Sequence, residues 1–175
     1  KDSFLMFHSK PKNLPEKIIE QIWFDDLEIS GFKSLSSDWS GGGIVSTTSD
    51  LLLFSQALHR GQLIKKETLE TMCTCLQKFR PGVYYGLGIM EIHFNKLSYF
   101  LIDLPRIKRH TGIFSTHLYF DPVNDAHIIM NFGSNKRMSE SFRALIEIET
   151  VLHKLGIKNR EVSPRLDIRQ SSIDE

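Results

Sequence analysis

Two short stretches bring together residue types that can do chemistry. His110-Thr111-Gly112-Ile113 sets an imidazole beside a hydroxyl, then a position with no side chain, in sequence rich in strand formers. An imidazole there can hydrogen-bond or present charge to an anionic group. A threonine hydroxyl can donate to a carboxylate, and glycine in a strand lets a ligand lie close to the backbone. The second stretch, Gly41-Gly42-Gly43, precedes a helix pattern. A glycine triplet there can cradle phosphate. No Lys-Ser/Thr follows it and no strand precedes it, so Gly41–Gly43 are read as positions where backbone passes closely under neighbouring elements.

Other candidate groups lack a chemical pattern. His8, His59, His93, His117, His127 and His153 show no metal-ligand spacing, and surface or packing roles are expected. His110 and His117 would face opposite sides of one continuous strand. Cys73 and Cys75 point to different faces of an expected helix, so they neither bridge nor complete a zinc set. No metal and no cofactor is implied. A net charge of +1 gives no bulk attraction to nucleic acid or anionic lipid. The densest basic cluster, Arg106, Lys108 and Arg109, lacks the interleaved aromatics of a single-strand binder and reads as a solvated surface patch. No apolar run reaches the roughly 18 residues of a transmembrane segment. Lys1-Asp2-Ser3 resembles neither a signal peptide nor an initiation site.

The elements that must position these residues follow from periodicity. Residues 1–14 read as an extended lead-in, and Pro15 opens a helix over 15–24 with Ile18, Ile19 and Ile22 on its buried face. Residues 25–46 read as loop. Thr47-Thr48-Ser49-Asp50 caps a helix with a stripe of Leu51, Phe54, Ala57 and Leu58, stopped at Gly61. A further helix covers 66–77, with Leu69, Met72, Cys73 and Leu76 inward. Strands follow at 83–92, 98–103, 107–111, 114–120 and 126–132, the last two joined by the turn Asp121-Pro122-Val123-Asn124-Asp125. A helix from Ser139 to about 155 buries Phe142, Leu145, Ile146, Leu152 and Leu155. Helices, then an antiparallel sheet, then a covering helix argue an α+β fold in one domain over 1–156, with a polar, disordered tail over 157–175.

In order and spacing these segments resemble the serine β-lactamase-like and penicillin-binding hydrolases, a family that includes class C β-lactamases, D-alanyl-D-alanine carboxypeptidases and esterases. The resemblance runs through Trp39-Ser40-Gly41-Gly42-Gly43-Ile44-Val45-Ser46-Thr47, Asp50-Leu51, Gly61-Gln62-Leu63-Ile64 and Tyr85-Gly86-Leu87-Gly88-Ile89. It ends with His110-Thr111-Gly112 and Leu118-Tyr119-Phe120-Asp121-Pro122, covering about residues 35–155. It implies the C-terminal part of that fold and an acyl-enzyme hydrolase, bacterial and of the cell envelope. The substrate would be a small molecule, peptide or β-lactam: a D-Ala-D-Ala-type peptide, a β-lactam or a small ester. His110, Thr111, Gly112 and Ile113 would be its substrate-binding motif. His110 and Thr111 would meet an anionic substrate group, and the Ile113 amide would be one oxyanion donor. Arg109 and Ser115 depart from the pattern, which usually has glycine at both.

The family's nucleophile motif, Ser-x-x-Lys opening an apolar helix, has two poor matches. Ser9-Lys10-Pro11-Lys12 contains proline, and Ser30-Gly31-Phe32-Lys33 lies in a loop; Tyr-x-Asn has none. No catalytic residue is therefore assigned, and the chain alone is expected to be inert. The alternative is a non-catalytic binding module of the same fold. The resemblance also leaves residues 126–132 without the strands that pair there in the family, so a homodimer through that edge is expected, unless residues 1–10 fold back over it.

Overall fold

The structure is a computed structural model and describes residues 3–6, 19–74 and 76–155, the Ser40 side chain excepted. The expected polar tail, His8, Cys75, Ser9-Lys10-Pro11-Lys12 and residues 15–18 lie outside the described residues. In chain order come β1 (Phe4–Leu5), β2 (Trp23–Phe24), β3 (Leu27–Glu28), the one-turn helix α1 (Trp39–Gly42), β4 (Ile44–Val45), α2 (Thr48–His59) and α3 (Lys66–Thr74). Then come β5 (Gln77–Arg80), β6 (Val83–Tyr85), β7 (Met90–Ile92), β8 (Ile107–Thr111), β9 (Thr116–Asp121), β10 (Ala126–Asn131) and α4 (Met138–Lys154). The architecture is α+β, as the order of patterns implies.

Strands β5 to β10 form one antiparallel meander in which each strand pairs with its chain neighbours. Alternation sorts the side chains onto two faces. Val83, Met90, Ile92, Ile107, Tyr119 and Ile128 pack with Phe94 and with Leu145 of α4 into the main core. Phe120 points the other way, against the ring of His59 at the end of α2, with centroids 3.6 Å apart. The sheet thus lies between α4 on one side and α2 and α3 on the other.

Several expectations are corrected. Residues 19–24 are not helical. Asp25 takes a φ of 54° and turns the chain, so Trp23–Phe24 pairs back on Leu27–Glu28 as a short hairpin. Asp tolerates that left-handed backbone because its short side chain bonds locally. Asn135 and Lys136 then pin the hairpin through Asp25 and Asp26. Residues 25–46 are not all loop, since β4 pairs with β1. Residues 98–103 form a 3-10 turn rather than a strand, capped where the Ser98 hydroxyl accepts from the Phe100 amide at 3.3 Å. Residues 83–92 are two strands, turned at Gly86–Gly88, where Gly88 takes φ 75°. The helix expected over 66–77 ends at Thr74, and Gln77 instead opens β5.

The helix faces also differ. Thr47 caps α2 as expected, its hydroxyl accepting from the Asp50 amide at 3.1 Å. The buried residue of α2 is Ser55, bonded to His127 Nδ1 at 2.7 Å, while Phe54 is 47% exposed. The polar His127 on β10 selects the serine face. On α4, Leu145 is buried and Phe142, Ile146 and Leu152 pack on the core, whereas Leu155 projects into solvent one residue past the helix. The α4 stripe also carries Glu149, fully buried beside the Asp121 carboxyl. Burial first, and the neighbouring Asp121 carboxyl second, push its pKa up to about 8. Asp121 is itself buried and takes the Val123 and Asn124 amides of the β9–β10 turn.

A group whose folded pKa is raised contributes stability that is complete below its unfolded pKa and lost as pH rises through the folded value. The docking of α4 should therefore weaken from about pH 4.5 through about pH 8. Glu149→Gln keeps the shape and removes the proton. In urea unfolding followed by circular dichroism, its stability relative to the parent should rise steadily over that range. A difference that stays flat from pH 5 to pH 9 would show that Glu149 is not the titrating group.

Candidate functional site

The motif sits where β8 ends and turns into β9. Ile107 anchors β8 in the core, and Thr111 pairs with His117 across to β9. His110 is exposed at this end. Its Nδ1 lies 3.1 Å from the Tyr85 hydroxyl of β6, with the rings 5.7 Å apart. Partial burial of the ring lowers the His110 pKa, which favours the neutral, hydrogen-bonding imidazole over the charged one.

Thr111 is buried, and its hydroxyl is already engaged. It lies 3.0 Å from His117 Nδ1 and 2.8 Å from the Tyr119 hydroxyl, which also reaches Met90 Sδ at 2.9 Å. His117 has no exposed surface, touches Phe142 of α4 edge-on, and is held down to about pKa 4 by burial. His110 and His117 thus lie on two strands joined by a turn, not on one strand. Tyr85, His117 and Tyr119 were not singled out by sequence as neighbours of the motif. The 117/119 alternation, paired against residue 111 across a hairpin, is the signal that could have found the last two.

The turn is built by backbone. Gly112 donates to Thr116 O at 2.8 Å, and Ser115 donates to Gly112 O at 3.0 Å. Ser115 takes φ 59°, and its buried hydroxyl donates to Ser134 O at 2.7 Å. Ile113 stands out at the tip, 62% exposed, and no hydrogen bond among the described residues uses its amide. The structure therefore brings His110, Gly112 and the Ile113 amide to one exposed corner, and turns the Thr111 hydroxyl inward.

The glycine triplet is part of α1 and its cap, and its close neighbour is its own preceding turn rather than another element. A Cβ on Gly41 would come within 2.9 Å of Asp38 Oδ1, and one on Gly43 within 2.8 Å of the Trp39 carbonyl. Ser30 is held by the Glu28 carboxylate through both hydroxyl and amide, and Lys33 opens a 3-10 turn, so they do not share a helix. Arg109 is not solvated. It is 5% exposed, with φ 148°. Among the described residues no group of three His, Cys, Asp or Glu could hold a metal, and no helix is long and apolar enough to cross a membrane.

No family model matches this chain, and no curated protein matches its sequence. Solved structures do match. D-amino acid amidase from Ochrobactrum anthropi SV3 superposes with a TM-score of 0.64 at 19% identity, over 85% of this chain and 46% of that one. Its complex with D-phenylalanine gives 0.60 at 20%, over 88% and 49%, and its complex with L-phenylalanine gives 0.64 at 20%, over 89% and 46%. The chain spans about half the length of that amidase. The likeness is one of fold: this chain shares its α+β architecture with the C-terminal half of that amidase.

Proposed function

We propose that this chain is the scaffold and cleft wall of a bacterial serine hydrolase that cleaves an amide or ester through an acyl-enzyme. The observation that carries this is the exposed corner at the end of β8, where an unengaged Ile113 amide stands beside His110 in an amidase-like fold. When a serine attacks a carbonyl, negative charge moves to the oxygen. The Ile113 N–H would donate a hydrogen bond to that oxygen, and the nucleophile's own amide would be the other donor. His110, with Nδ1 turned to Tyr85, would present Nε2 to the polar end of the substrate. Gly112 leaves the strand surface clear for the substrate chain. In this reading these groups, rather than the inward Thr111 hydroxyl, would serve the reacting end. The substrate class is a small amide, a D-Ala-D-Ala-type peptide, a β-lactam or a small ester. A cell-envelope location goes with that reading. The nucleophile and its lysine come from chain beyond these residues.

A fluorescent penicillin and a chromogenic ester test this. The 175-residue chain should take no covalent label. A longer polypeptide that includes it should be labelled on a serine outside these residues. There, His110→Ala should lower kcat/KM by about a hundredfold with folding intact. Label on Ser9 or Ser30, or His110→Ala without effect, would overturn the assignment. A longer polypeptide that takes no label would leave the fold as a non-catalytic binding module.

One observation also favours self-association. β10 pairs only with β9, so its outer edge is open among the described residues. It carries no Asp, Glu, Lys, Arg or Pro to guard that edge. Phe4–Leu5 pairs with Ile44–Val45 and does not cover it. Two copies joined edge to edge would satisfy the free amides in a twofold dimer. Light scattering at micromolar concentration should give twice the chain mass. Ile129→Lys should return it to a monomer with unchanged circular dichroism. A parent that is monomeric, or a dimer indifferent to the lysine, would rule out this interface.

A further inference from the structure

On the sheet face under α2 and α3 lies a cavity of about 150 Å³, walled by His59, Leu69, Cys73, Lys108, Arg109 and Phe120. It does not involve the His110 corner, so a ligand held there would be independent of the hydrolase reading. The β8–β9 register places Arg109 opposite Tyr119, whose ring packs on the α4 side. Simple alternation would send Arg109 there too. Its φ of 148° re-aims the side chain to the other face, beside Lys108 and Phe120. Nε and Nη2 are buried there without a hydrogen-bond partner. Arginine stays a cation in proteins, and burying an unpaired cation is strongly unfavourable.

The nearby carboxylates do not answer it. Glu91 is taken by His93 at 2.6 Å, with Lys108 at 3.8 Å and Arg106 at 3.9 Å. Glu70 lines the cavity but is exposed, and no ion pair with Arg109 forms among the described residues. His59 adds a third buried nitrogen, Nε2, also without a partner. Most of the remaining wall is apolar, from Leu69, Ile89, Phe120 and Pro122.

We propose that this cavity binds a small monocarboxylic acid with an apolar body, its carboxylate on the Arg109 guanidinium and its body against Leu69, Ile89 and Phe120. A carboxylate matches the planar guanidinium fork in charge and shape. A cavity of about 150 Å³ holds one benzene-sized group, so the body is a single ring or a short branched chain.

Benzoate is the probe, titrated into the whole chain by calorimetry, with benzamide and acetate as controls. Benzoate should bind one to one and raise Tm. Benzamide lacks the charge and acetate lacks the body, and each should bind about tenfold weaker or worse. This comparison needs no variant. Arg109→Met and Arg109→Gly should each abolish the benzoate-induced rise, while the Tm of the free chain stays equal or increases. Glycine also relieves the backbone at this φ. In a Cys75→Ser background, benzoate should slow alkylation of Cys73, which shares the cavity wall. No saturable benzoate binding at millimolar concentration would overturn the proposal. So would equal binding of benzamide, or binding that survives Arg109→Met. Benzoate binding that leaves Cys73 alkylation unchanged would place the ligand elsewhere and also overturn it. A marked fall in the Tm of both free variants would show that the guanidinium holds the fold together, and would likewise overturn it.

Discussion

β8 is paired on both edges and packed on the core through Ile107, so its backbone has no freedom to spare. Within that constraint Arg109 takes φ 148°, and six residues on Ser115 takes φ 59°. Side chains with a Cβ are disfavoured in this half of conformational space, at a cost of about 1–3 kcal/mol each. The strand and its turn therefore impose, at Arg109 and Ser115, a backbone geometry that glycine adopts more readily. Between the two lie His110, Thr111, Gly112 and Ile113. The direction in which each points depends on that bracketed geometry. Ser115 offsets its strain with a buried hydrogen bond to Ser134. Arg109 has no such partner, and its guanidinium remains an uncompensated charge inside the molecule.

The parts of the fold legible in the sequence were those in which one local signal agreed with tertiary packing. β8 was read at its observed bounds and β9 and β10 within two residues, because aromatic and β-branched residues alternate and a Pro-Val-Asn-Asp turn separates the last two. The α2 cap was legible because a threonine hydroxyl and the third amide beyond it are a purely local pair. Failures came where the deciding partner is distant. Residues 19–24 carry an apolar spacing that suits a helix, yet Asp25 and its contacts 110 residues away make a hairpin. The face of α2 was misjudged because hydrophobicity alone marks Phe54, while the strand beneath offers His127 and so selects Ser55.

The candidate site was legible as a location but not as a geometry. Motif spacing identified the end of β8, and the structure puts His110 and the Ile113 amide there together. It did not reveal that the Thr111 hydroxyl turns inward to His117 and Tyr119, since those partners stand on the neighbouring strand and not in the motif. Nor could a charge-run prior separate Arg106 and Lys108, which share Glu91, from Arg109, which is buried alone. Three neighbouring cations in sequence have two different fates in space.

The two faces of the sheet also differ in how completely they are closed. On the α4 side, Leu145, Tyr119, Ile92 and Ile107 are wholly buried, and even the polar groups are sequestered: His117 against Phe142, and Glu149 beside Asp121. On the other side, α2 leaves Leu53 58% exposed next to Phe54, with Leu63 exposed beyond its end. Apolar surface gathered in this way is more than isolated exposed residues require, and such patches mark surfaces made to meet something. The amidase that shares the fold is about twice as long as the matched region. The side with the open α2 surface also carries the unpaired Arg109. The uncompensated charge therefore lies on the less completely closed face, where a ligand can still reach it.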